Sequence, residues 1–447
     1  MKSNYFLILF LFALCNSSYS QNRTMAEELS FITSKANSLT QNSLGYWEAD
    51  FGNGIVLIYI PQGSFTMGNN MLSSIVVTSG YASAPEHTVN LSHYWISKNP
   101  ITIGQFRTFV QATNYVTDVE RAGSQGCYVY DTTQEAFVPK TGRKWDNAYQ
   151  DILAAFPAIT INDNHPVACV SWNDAIAYTN WLRQQKQVQF TIPTEAEYEY
   201  ACRGTDGRIY PWGNNVSDGT RANYADETMN TYFPNLNQAL VHTGVTDGFA
   251  ITSPVGSFPN GASPIGALDM VGNVNQWVYD AEYDYTSASQ TNPIHLTDNG
   301  VRMQKAGDWS SSAGRTGQTP DELAEGHNIR AEGRSGDVPN SADDHLGFRI
   351  AISYVQRLES LLSLHDTALH ASKITLHQNP VKNDKLILNN AIFDSSYEIY
   401  NLNGQLLKAG DIGTGNILLS HIGSGLYFIK ITSKSGKSNT HLKFIIE

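Results

Sequence analysis

Apolar residues recur at helical spacing in three segments of the first half of the chain, 101–115, 171–182 and 194–204. In the first of them, Phe106 and Phe109 share one face of the predicted helix. Each segment begins near a Ser or Thr that is followed three residues later by Gln, Asp or Glu, the spacing of a capping box. We therefore predict three helices with defined N-termini. The capping pairs are Thr102 with Gln105, Ser171 with Asp174, and Thr194 with Glu197.

The rest of the first 350 residues is less regular. A short polar stretch at 25–39 can form a helix, and an apolar run at 55–68 predicts a strand interrupted by Pro61. From about 204 to 350 the periodicity fades, and Gly, Asn, Asp, Trp and Tyr become frequent. Loops of this length in a compact domain are functional or are held by something other than a core. Bound cations are one way of holding such loops in place.

The C-terminal segment 373–447 has a different pattern, with short strands separated by turns. Asn403-Gly404 and Ser435-Gly436 are hairpin turn signals, and Gly425 begins a run with period-two alternation. We predict a small antiparallel β-sandwich here, which we call the tail. Residues 355–372 form an amphipathic linker in front of it.

The N-terminus has the features of a secretory signal peptide. Lys2 supplies a positive charge, an apolar run extends from Tyr5 to Leu14, and small residues precede Gln21. The apolar run is about half the roughly 20 residues that a membrane span needs. Lipid attachment at Cys15 is disfavoured by the bulky Leu14. We expect cleavage after residue 20 and a secreted or cell-surface protein. The chain then consists of a signal peptide 1–20, a body 21–354, the linker 355–372 and the tail 373–447.

Charge separates the body from the tail. The whole chain has a formal net charge of −12, of which residues 21–372 carry about −16 and the tail about +3. Such an acidic body argues against nucleic acid as a partner, because nucleic-acid binding depends on basic side chains. It suits a protein that uses carboxylates for cations.

Three cysteines follow the signal peptide, Cys127, Cys169 and Cys202. An exported protein can form one disulfide from them and retain one thiol, and the sequence leaves the pairing open. No CxxC motif and no Cys/His spacing typical of zinc sites occurs. No cysteine follows residue 202.

The segment ALDMVGNVNQW, residues 267–277, places Asp269, a Gly-Asn pair and Gln276 within eight residues. A Gly-Asn turn between two buried segments is one interpretation. A cation site built partly from backbone oxygens is the other, because alternate residues of an extended chain present oxygens to the same side.

Seven ordered motifs in residues 50–353 resemble the sulfatase-modifying-factor family, also called formylglycine-generating-enzyme-like domains. They are IPQGSFTMG, PEHTVNLSHYWISKNPITIGQF, HPVACVSWNDAIAYTNWL, IPTEAEYEYACRG, YPWGN, the stretch from SPVGSFPNG to GNVNQW, and HLGFRIA. The resemblance implies an irregular, C-type-lectin-like α+β fold with bound calcium.

The tail resembles the C-terminal sorting domain of type IX secretion substrates in Bacteroidetes. The motifs are NPVKNDKLILNN, YEIYNLNGQLL, GSGLYFIKI and the terminal KFI. The resemblance implies that the type IX machinery is a partner and that the protein is exported across the outer membrane. A carbohydrate-binding sandwich is the alternative, although the tail lacks the tryptophan that a sugar platform usually offers.

The resemblance also implies two calcium sites. In one of them Gln276 and Asn275 depart from the family's usual Glu and Trp, but Asp269 retains a carboxylate. An ordinary turn without metal remains the alternative at both sites. The implied ligands are Asp269, Gly272, Val274 and Gln276 for the first site, and Asn223, Tyr224, Asp247 and Phe249 for the second.

The family's oxidases hold copper between two cysteines just upstream of the GFR motif, because thiolates suit Cu(I). The corresponding residues 305–336 contain no sulfur. Cys202 matches a disulfide cysteine of many members, but Ala331 stands near the position that its partner cysteine would have. We therefore do not expect copper or the oxidase mechanism.

Other side chains of the same region suggest a ligand cleft. An aromatic ring and arginines can bind a sugar or a carboxylate by stacking and paired hydrogen bonds. The residues are Trp309, Arg315, His327, Arg330 and Arg334. Two alternatives remain open: Arg330, Arg334 and Arg349 as buried structural arginines, and a metal site at His327 with Asp321, Glu322 and Glu325.

Three functions follow from these observations. The first is a non-oxidase surface protein that binds a ligand, for example a polysaccharide. The second is a sulfatase-maturation enzyme with a divergent site that acts on secreted sulfatases. The third is a structural component of secretion or gliding machinery, which the lack of a convincing lipidation site disfavours.

Overall fold

The structure is a computed structural model of the 447-residue chain. It describes residues 23–70, 83–236, 240–296, 300–313 and 328–353 of the body, and residues 375–376, 381, 385–389, 395–401, 405–412, 416–420, 422–433 and 439–446 of the tail. Contacts divide the chain into one compact unit, Asn22–Tyr354, and a second that contains Val355–Glu447. The predicted signal peptide and linker, and the turns at 403–404 and 435–436, lie outside the described residues.

The body is a mixed α+β structure. Its helices are α1 Met25–Thr33, α2 Ile103–Thr113, α3 Gln150–Ala155, α4 Trp172–Lys186, α5 Glu195–Arg203 and α6 Glu227–Tyr232, with 3₁₀ turns at Asp118–Glu120 and Pro259–Gly261. Its strands are β1 Ser38–Gln41, β2 Trp47–Asp50, β3 Val56–Ile60, β4 Gly63–Met67, β5 His87–Leu91, β6 Tyr94–Ser97, β7 Cys127–Asp131, β8 Ala136–Lys140, β9 Asn275–Ala281, β10 Gln290–Thr291, β11 Arg302–Lys305, β12 Arg334–Asp337, β13 Leu346–Phe348 and β14 Ala351–Ile352.

The three predicted helices are confirmed as α2, α4 and α5, and each has the complete capping box. In α5, for example, Glu197 N donates to Thr194 Oγ1 at 3.2 Å, and Thr194 N donates to Glu197 Oε2 at 2.9 Å. Two backbone donors at the helix start are thus satisfied. The short helices α3 and α6 were not predicted, because six residues are too few to show helical periodicity.

The strands form four sheets in the described body. Their orders are β1-β2-β3-β6-β14, β10-β5-β4, β12-β11-β9-β13, and the hairpin β7-β8. The predicted strand at 55–68 is two strands, β3 and β4, which belong to different sheets on either side of Pro61. Proline lacks a backbone donor, and here it lies where the chain leaves one sheet for the next.

The core connects α2 and α4 to the end of the body. Tyr178 lies with its ring centroid 6.0 Å from that of Phe106 and 5.5 Å from that of Phe348. Phe348 belongs to β13, which pairs in parallel with β9. This packing fixes the position of the HLGFRIA segment, which carries residues of the site described below.

The tail contains the strands β15 Thr375–Leu376, β16 Lys385–Asn389, β17 Ser395–Asn401, β18 Leu406–Ile412, β19 Asn416–Leu418, β20 Gly425–Ser433 and β21 Asn439–Ile446. They form two antiparallel sheets, β15-β16-β19 and β18-β17-β20-β21. Leu386, Ile399 and Ile429 belong to one buried apolar cluster. None of the helices in the described part of the chain is long and apolar enough to cross a membrane.

Removing one capping side chain should lower stability by a measurable amount. In Thr102→Ala we expect a loss of about 1 kcal/mol in the free energy of unfolding of the body, because Gln105 N loses its side-chain acceptor. Urea denaturation followed by tryptophan fluorescence measures this. Thr108→Ala, on the exposed side of the same helix, is the matched control and should cost less than about 0.5 kcal/mol. Equal effects of the two changes would contradict the capping role.

Candidate functional site

A cleft of about 1060 Å³ opens in the body beside the β7-β8 hairpin. Its walls come from the segment after the 3₁₀ turn Asp118–Glu120, from the hairpin, and from the 337–345 segment that precedes β13. The turn after β11 contributes its floor. The charged residues that line the cleft are Asp118, Arg121, Asp308, Asp337, Asp343 and His345.

Asp308 forms the floor and is only 2% exposed. Its Oδ1 accepts hydrogen bonds from Ser310 N and Ser310 Oγ, both at 2.8 Å. Its Oδ2 accepts from Asn275 Nδ2 at 2.6 Å. Asn275 Oδ1 is buried and has no hydrogen-bond partner. The Asp308 carboxylate is therefore fixed by three hydrogen bonds, whereas Asn275 does not line the cleft.

Asp343 and His345 line one side of the cleft, and the fully buried Asp344 lies between them in the chain. His345 Nδ1 lies 3.0 Å from Asp344 Oδ1. Burial alone would lower the pKa of His345, but the charges of Asp308, Asp344 and Asp343 outweigh it and raise that pKa to about 10. Burial raises the pKa of Asp343 to about 6. At neutral pH His345 is therefore a cation, and Asp343 is largely ionised.

The rim is more exposed. Arg121 Nη1 lies 2.6 Å from Asp118 Oδ1. Asp118 Oδ2 accepts from Ser171 Oγ at 2.7 Å and from Asn173 Nδ2 at 2.9 Å, which ties the rim to the start of α4. The ring of Tyr128, on the outer face of β7, is 45% exposed.

The cysteines take no part in the lining of this cleft. Cys127 and Cys169 form a disulfide with a Cα–Cα distance of 5.6 Å, and both are fully buried. Cys202 is free and buried, and burial raises the pKa of its thiol to about 12. The expectation of one disulfide and one remaining thiol is confirmed. A buried thiol with so high a pKa is a poor nucleophile and a poor metal ligand at neutral pH.

The residues predicted to form a ligand cleft lie elsewhere. Trp309, Arg330 and Arg334 are at most 5% exposed and do not line the cleft. This prediction is wrong for these three residues, because their side chains pack or pair inside the body. The alternative of buried structural arginines is confirmed for Arg330, Arg334 and Arg349. Arg315 and His327, with the alternative metal ligands Asp321, Glu322 and Glu325, lie outside the described residues.

A buried ion network explains the arginine positions. Arg334 donates to both carboxylate oxygens of Glu195 at 2.9 Å, and Lys305 Nζ lies 3.0 Å from Glu199 Oε2. Arg330 pairs with Glu332 at 2.6 Å. Burial raises the pKa of Glu195, but Arg334 and Lys305 outweigh that effect and lower it. The network joins helix α5 to strands β11 and β12.

The second predicted calcium site retains features of a cation site. Asn223 is 1% exposed, and its Oδ1 has no hydrogen-bond partner. Asp247 lies close by, since its Oδ2 accepts from Tyr224 N at 3.1 Å. Asp226 contacts Asp247 N through its own carboxylate. Burial and the charge of Asp226 raise the pKa of Asp247 well above its usual range. Two adjacent carboxylates and an orphaned amide oxygen fit a hard cation.

Asp247 is further enclosed by Phe249, whose N–H donates to Asp247 Oδ1 at 2.8 Å. The carbonyl of Asn223 accepts from Asn273 N at 2.9 Å, so this site is joined to the 267–277 segment. Gly272 has φ +73°, and a Cβ there would collide with the Asn223 carbonyl. Glycine is therefore required where the two segments meet.

The first predicted calcium site does not have the predicted ligand geometry. Gln276 Oε1 accepts from Arg349 Nε at 2.6 Å, and Gln276 Nε2 donates to the Asp269 carbonyl at 2.8 Å. Asp269 Oδ2 accepts from Gly256 N at 2.6 Å. A guanidinium thus occupies the oxygen assigned to the metal and would repel a second cation. We therefore correct the assignment of Gln276 as a calcium ligand. Val274, whose backbone carbonyl was also predicted to bind this calcium, is fully buried.

No group of three or more His, Cys, Asp or Glu side chains suited to a metal occurs in the residues that the structure describes. That result does not cover sites that use amide and backbone oxygens, such as the one at Asn223. Sequence reasoning missed the cleft residues, which come from five separate segments. The one available signal was the Asp343-Asp344-His345 run directly before LGFRIA.

Comparisons with known proteins show which families the two parts of the chain resemble. A family model described as "Sulfatase-modifying factor enzyme 1-like domain" matches residues 52–354, and one described as "Secretion system C-terminal sorting domain" matches residues 376–447. The formylglycine-generating enzyme of Streptomyces coelicolor is 31% identical over 309 residues, covering 66% of this chain and 88% of that protein.

A mouse protein named inactive C-alpha-formylglycine-generating enzyme 2 is 29% identical over 320 residues, covering 68% of this chain and 88% of that protein. Among solved structures, PvdO from Pseudomonas aeruginosa is similar with a TM-score of 0.47 and 23% identity. That match covers 71% of this chain and 99% of PvdO.

The raised pKa of Asp343 predicts a pH-dependent stability effect. In the folded state this carboxyl titrates near pH 6, above its ordinary 3.8, so its ionised form destabilises the fold. The penalty is absent below about pH 4 and complete above about pH 7. We expect Asp343→Asn to stabilise the body by about 1 to 2 kcal/mol at pH 8 and by nothing at pH 4.

Urea denaturation at both pH values measures this difference. The exposed Asp163, which pairs with Arg107, supplies the control Asp163→Asn, which should show no such stabilisation. If Asp343→Asn is no more stable than the parent protein at pH 8, the raised pKa of Asp343 is contradicted.

Proposed function

Because this chain belongs to the family of sulfatase-modifying factor enzyme 1-like domains, we propose that it is a binding or accessory protein whose cleft takes a ligand without thiol-based oxidation. The tail is a secretion-system sorting domain, so the protein is secreted to the cell surface or exterior. A polysaccharide and a secreted sulfatase are the two partner classes that we consider for it.

One observation carries this proposal: none of the three body cysteines lines the cleft. Cys127 and Cys169 are joined to each other, and Cys202 is buried in the core beneath Met270. The chain has no cysteine after Cys202. The cleft floor is built instead from Asp308 and the serines that follow it. Hydroxyl and carboxylate oxygens do not hold Cu(I) as thiolates do.

The alternative is a sulfatase-maturation oxidoreductase with a divergent site. The 31% identity to formylglycine-generating enzymes supports it. The chemistry of the cleft does not, because oxidation of a substrate thiol needs a redox-active group that these oxygen ligands do not supply. The name of the mouse relative indicates that a member can keep the fold without the activity.

We further propose one calcium ion in the body, at the site of Asn223 and Asp247. The side-chain oxygens of these residues would hold it together with the carbonyls of Tyr224 and Phe249, and Asp226 would add a nearby charge. The unpartnered Asn223 Oδ1 and the raised pKa of Asp247 support this site. Calcium would supply structural cross-linking of loops that lack regular secondary structure.

Chelation should lower the melting temperature of the full-length protein if this calcium is present. A ligand bound only by the folded state stabilises it by mass action. We expect the shift between calcium and chelator to disappear in Asn223→Ala and Asp247→Asn. Asp269→Asn, at the other predicted site, is the control and should retain the shift. An unchanged midpoint on chelation of the parent protein would refute the calcium proposal.

The protein should leave a sulfatase-type cysteine peptide unmodified in the presence of Cu(I) and oxygen, because no thiolate pair is available to the substrate. Mass spectrometry of the peptide detects conversion of cysteine to the aldehyde. A formylglycine-generating enzyme assayed in parallel is the positive control. Aldehyde formation that disappears in Cys202→Ser would refute the non-oxidase proposal.

A further inference from the structure

We propose that the Asn53-Gly54 turn is a modification site, at which the Asn53 amide is converted spontaneously to aspartate and isoaspartate in the folded protein. Asn-Gly pairs occur in the chain at 53–54, 260–261, 299–300 and 403–404. The structure describes both residues of the first two pairs, and it distinguishes them at the glycine nitrogen. This inference does not depend on the proposed binding function.

The first pair forms the tip of the hairpin between β2 and β3. Ile55 N donates to the Gly52 carbonyl at 3.0 Å, which closes a turn with Asn53 and Gly54 at its centre. Both central residues have positive φ, +53° and +71°. Asparagine and glycine are favoured at such positions because they tolerate positive φ. This turn leaves both residues exposed to solvent.

The Gly54 nitrogen is the attacking group, and the turn leaves it available. In the part of the chain that the structure describes, the Gly54 N–H donates to no backbone carbonyl. The Asn53 amide is held only weakly, because its Nδ2 lies 3.4 Å from Thr108 Oγ1. Glycine also has no Cβ that would shield its nitrogen. A local movement of this exposed turn is therefore enough to bring the two groups together.

Asn260 is a matched comparison, because it is exposed and is also followed by glycine. Here, however, Gly261 N donates to the Phe258 carbonyl at 2.9 Å within the 3₁₀ turn. Gly261 is buried, and a Cβ there would collide with the Arg221 carbonyl. Reaction at Asn260 therefore first requires the loss of a hydrogen bond and of close packing, which is a rarer local opening.

The reaction needs only water. Gly54 N attacks Asn53 Cγ and loses its proton, so that a bond forms between these atoms. The Cγ–Nδ2 bond breaks, and ammonia leaves with that proton. Water then opens the cyclic imide at either carbonyl: opening at Cγ gives aspartate, and opening at the main-chain carbonyl gives isoaspartate. No atom is oxidised or reduced.

Both products place a carboxylate on the wall of a second cavity of the body, of about 680 Å³, which Asn53 and Gly54 line. Among the described residues that line this cavity, the charged ones are Arg107 and Asp163, which form an ion pair at 2.9 Å. The modification therefore changes a cavity lining that is close to neutral into one with a net negative charge. Isoaspartate also lengthens the main chain in the turn, where the Asn53 carbonyl accepts from Gln105 Nε2 at 3.0 Å.

Peptide mapping by mass spectrometry tests the proposal on full-length native protein incubated in heavy-oxygen water at mildly alkaline pH. Incorporated heavy oxygen marks conversion during the incubation. We expect Asn53 to be converted at least about tenfold faster than Asn260, because only Asn260 depends on a rare opening. In the guanidinium-unfolded chain this protection is lost, and the two rates should agree within about threefold.

A variant identifies the attacking nitrogen. Gly54→Asn retains a residue that tolerates positive φ but adds a Cβ beside the nitrogen, and it should slow conversion of Asn53 at least about tenfold in the native protein. Thermal melting verifies that the variant is folded.

Equal conversion of Asn53 and Asn260 in the native protein would overturn the proposal. So would undiminished conversion of Asn53 in Gly54→Asn, which would indicate direct hydrolysis of the amide. If native Asn53 stays intact while the unfolded chain reacts at both positions, the turn protects the amide and the proposal is also wrong.

Discussion

The Arg349 guanidinium is bonded to four oxygens inside the body. It donates to the carbonyls of Ser97, Leu268 and Asp269 at 2.8 to 2.9 Å and to Gln276 Oε1 at 2.6 Å. A buried cation costs several kcal/mol unless its donors are satisfied, so these oxygens must stay in place. The site depends on this, because the segment held by Arg349 leads directly into β9, whose first residue, Asn275, donates to the cleft residue Asp308.

The need to pair buried positive charges also affects which charges remain in the cleft. Other positive charges of the interior bind the body's own carboxylates, as with Arg334 and Lys305 against helix α5. Among the described residues that line the cleft, the cations beside its carboxylates are His345 and Arg121. The described lining of the cleft is therefore rich in carboxylate oxygens. Carboxylate and hydroxyl oxygens do not supply the soft ligands that thiol-based copper chemistry needs.

Local features were predictable from sequence, and distant contacts were not. The capping boxes of α2, α4 and α5 were predicted because both partners lie within three residues. Gln276 was assigned to calcium because its arginine partner is 73 residues away in the chain and no local pattern reveals it. The arginines of the 328–334 segment looked like cleft residues for the same reason, since Glu195 is 139 residues from Arg334. Family motifs located the region of the site, but its lining depended on how separate loops converge.

The central claim is that no reactive thiol is available in the folded protein. Alkylation with a thiol reagent followed by mass spectrometry of the mature chain tests it most directly. The account predicts no label on the native protein and one label, on Cys202, after unfolding without reductant, because Cys127 and Cys169 are joined. Labelling of any cysteine in the native protein would contradict the account and return oxidase chemistry to consideration.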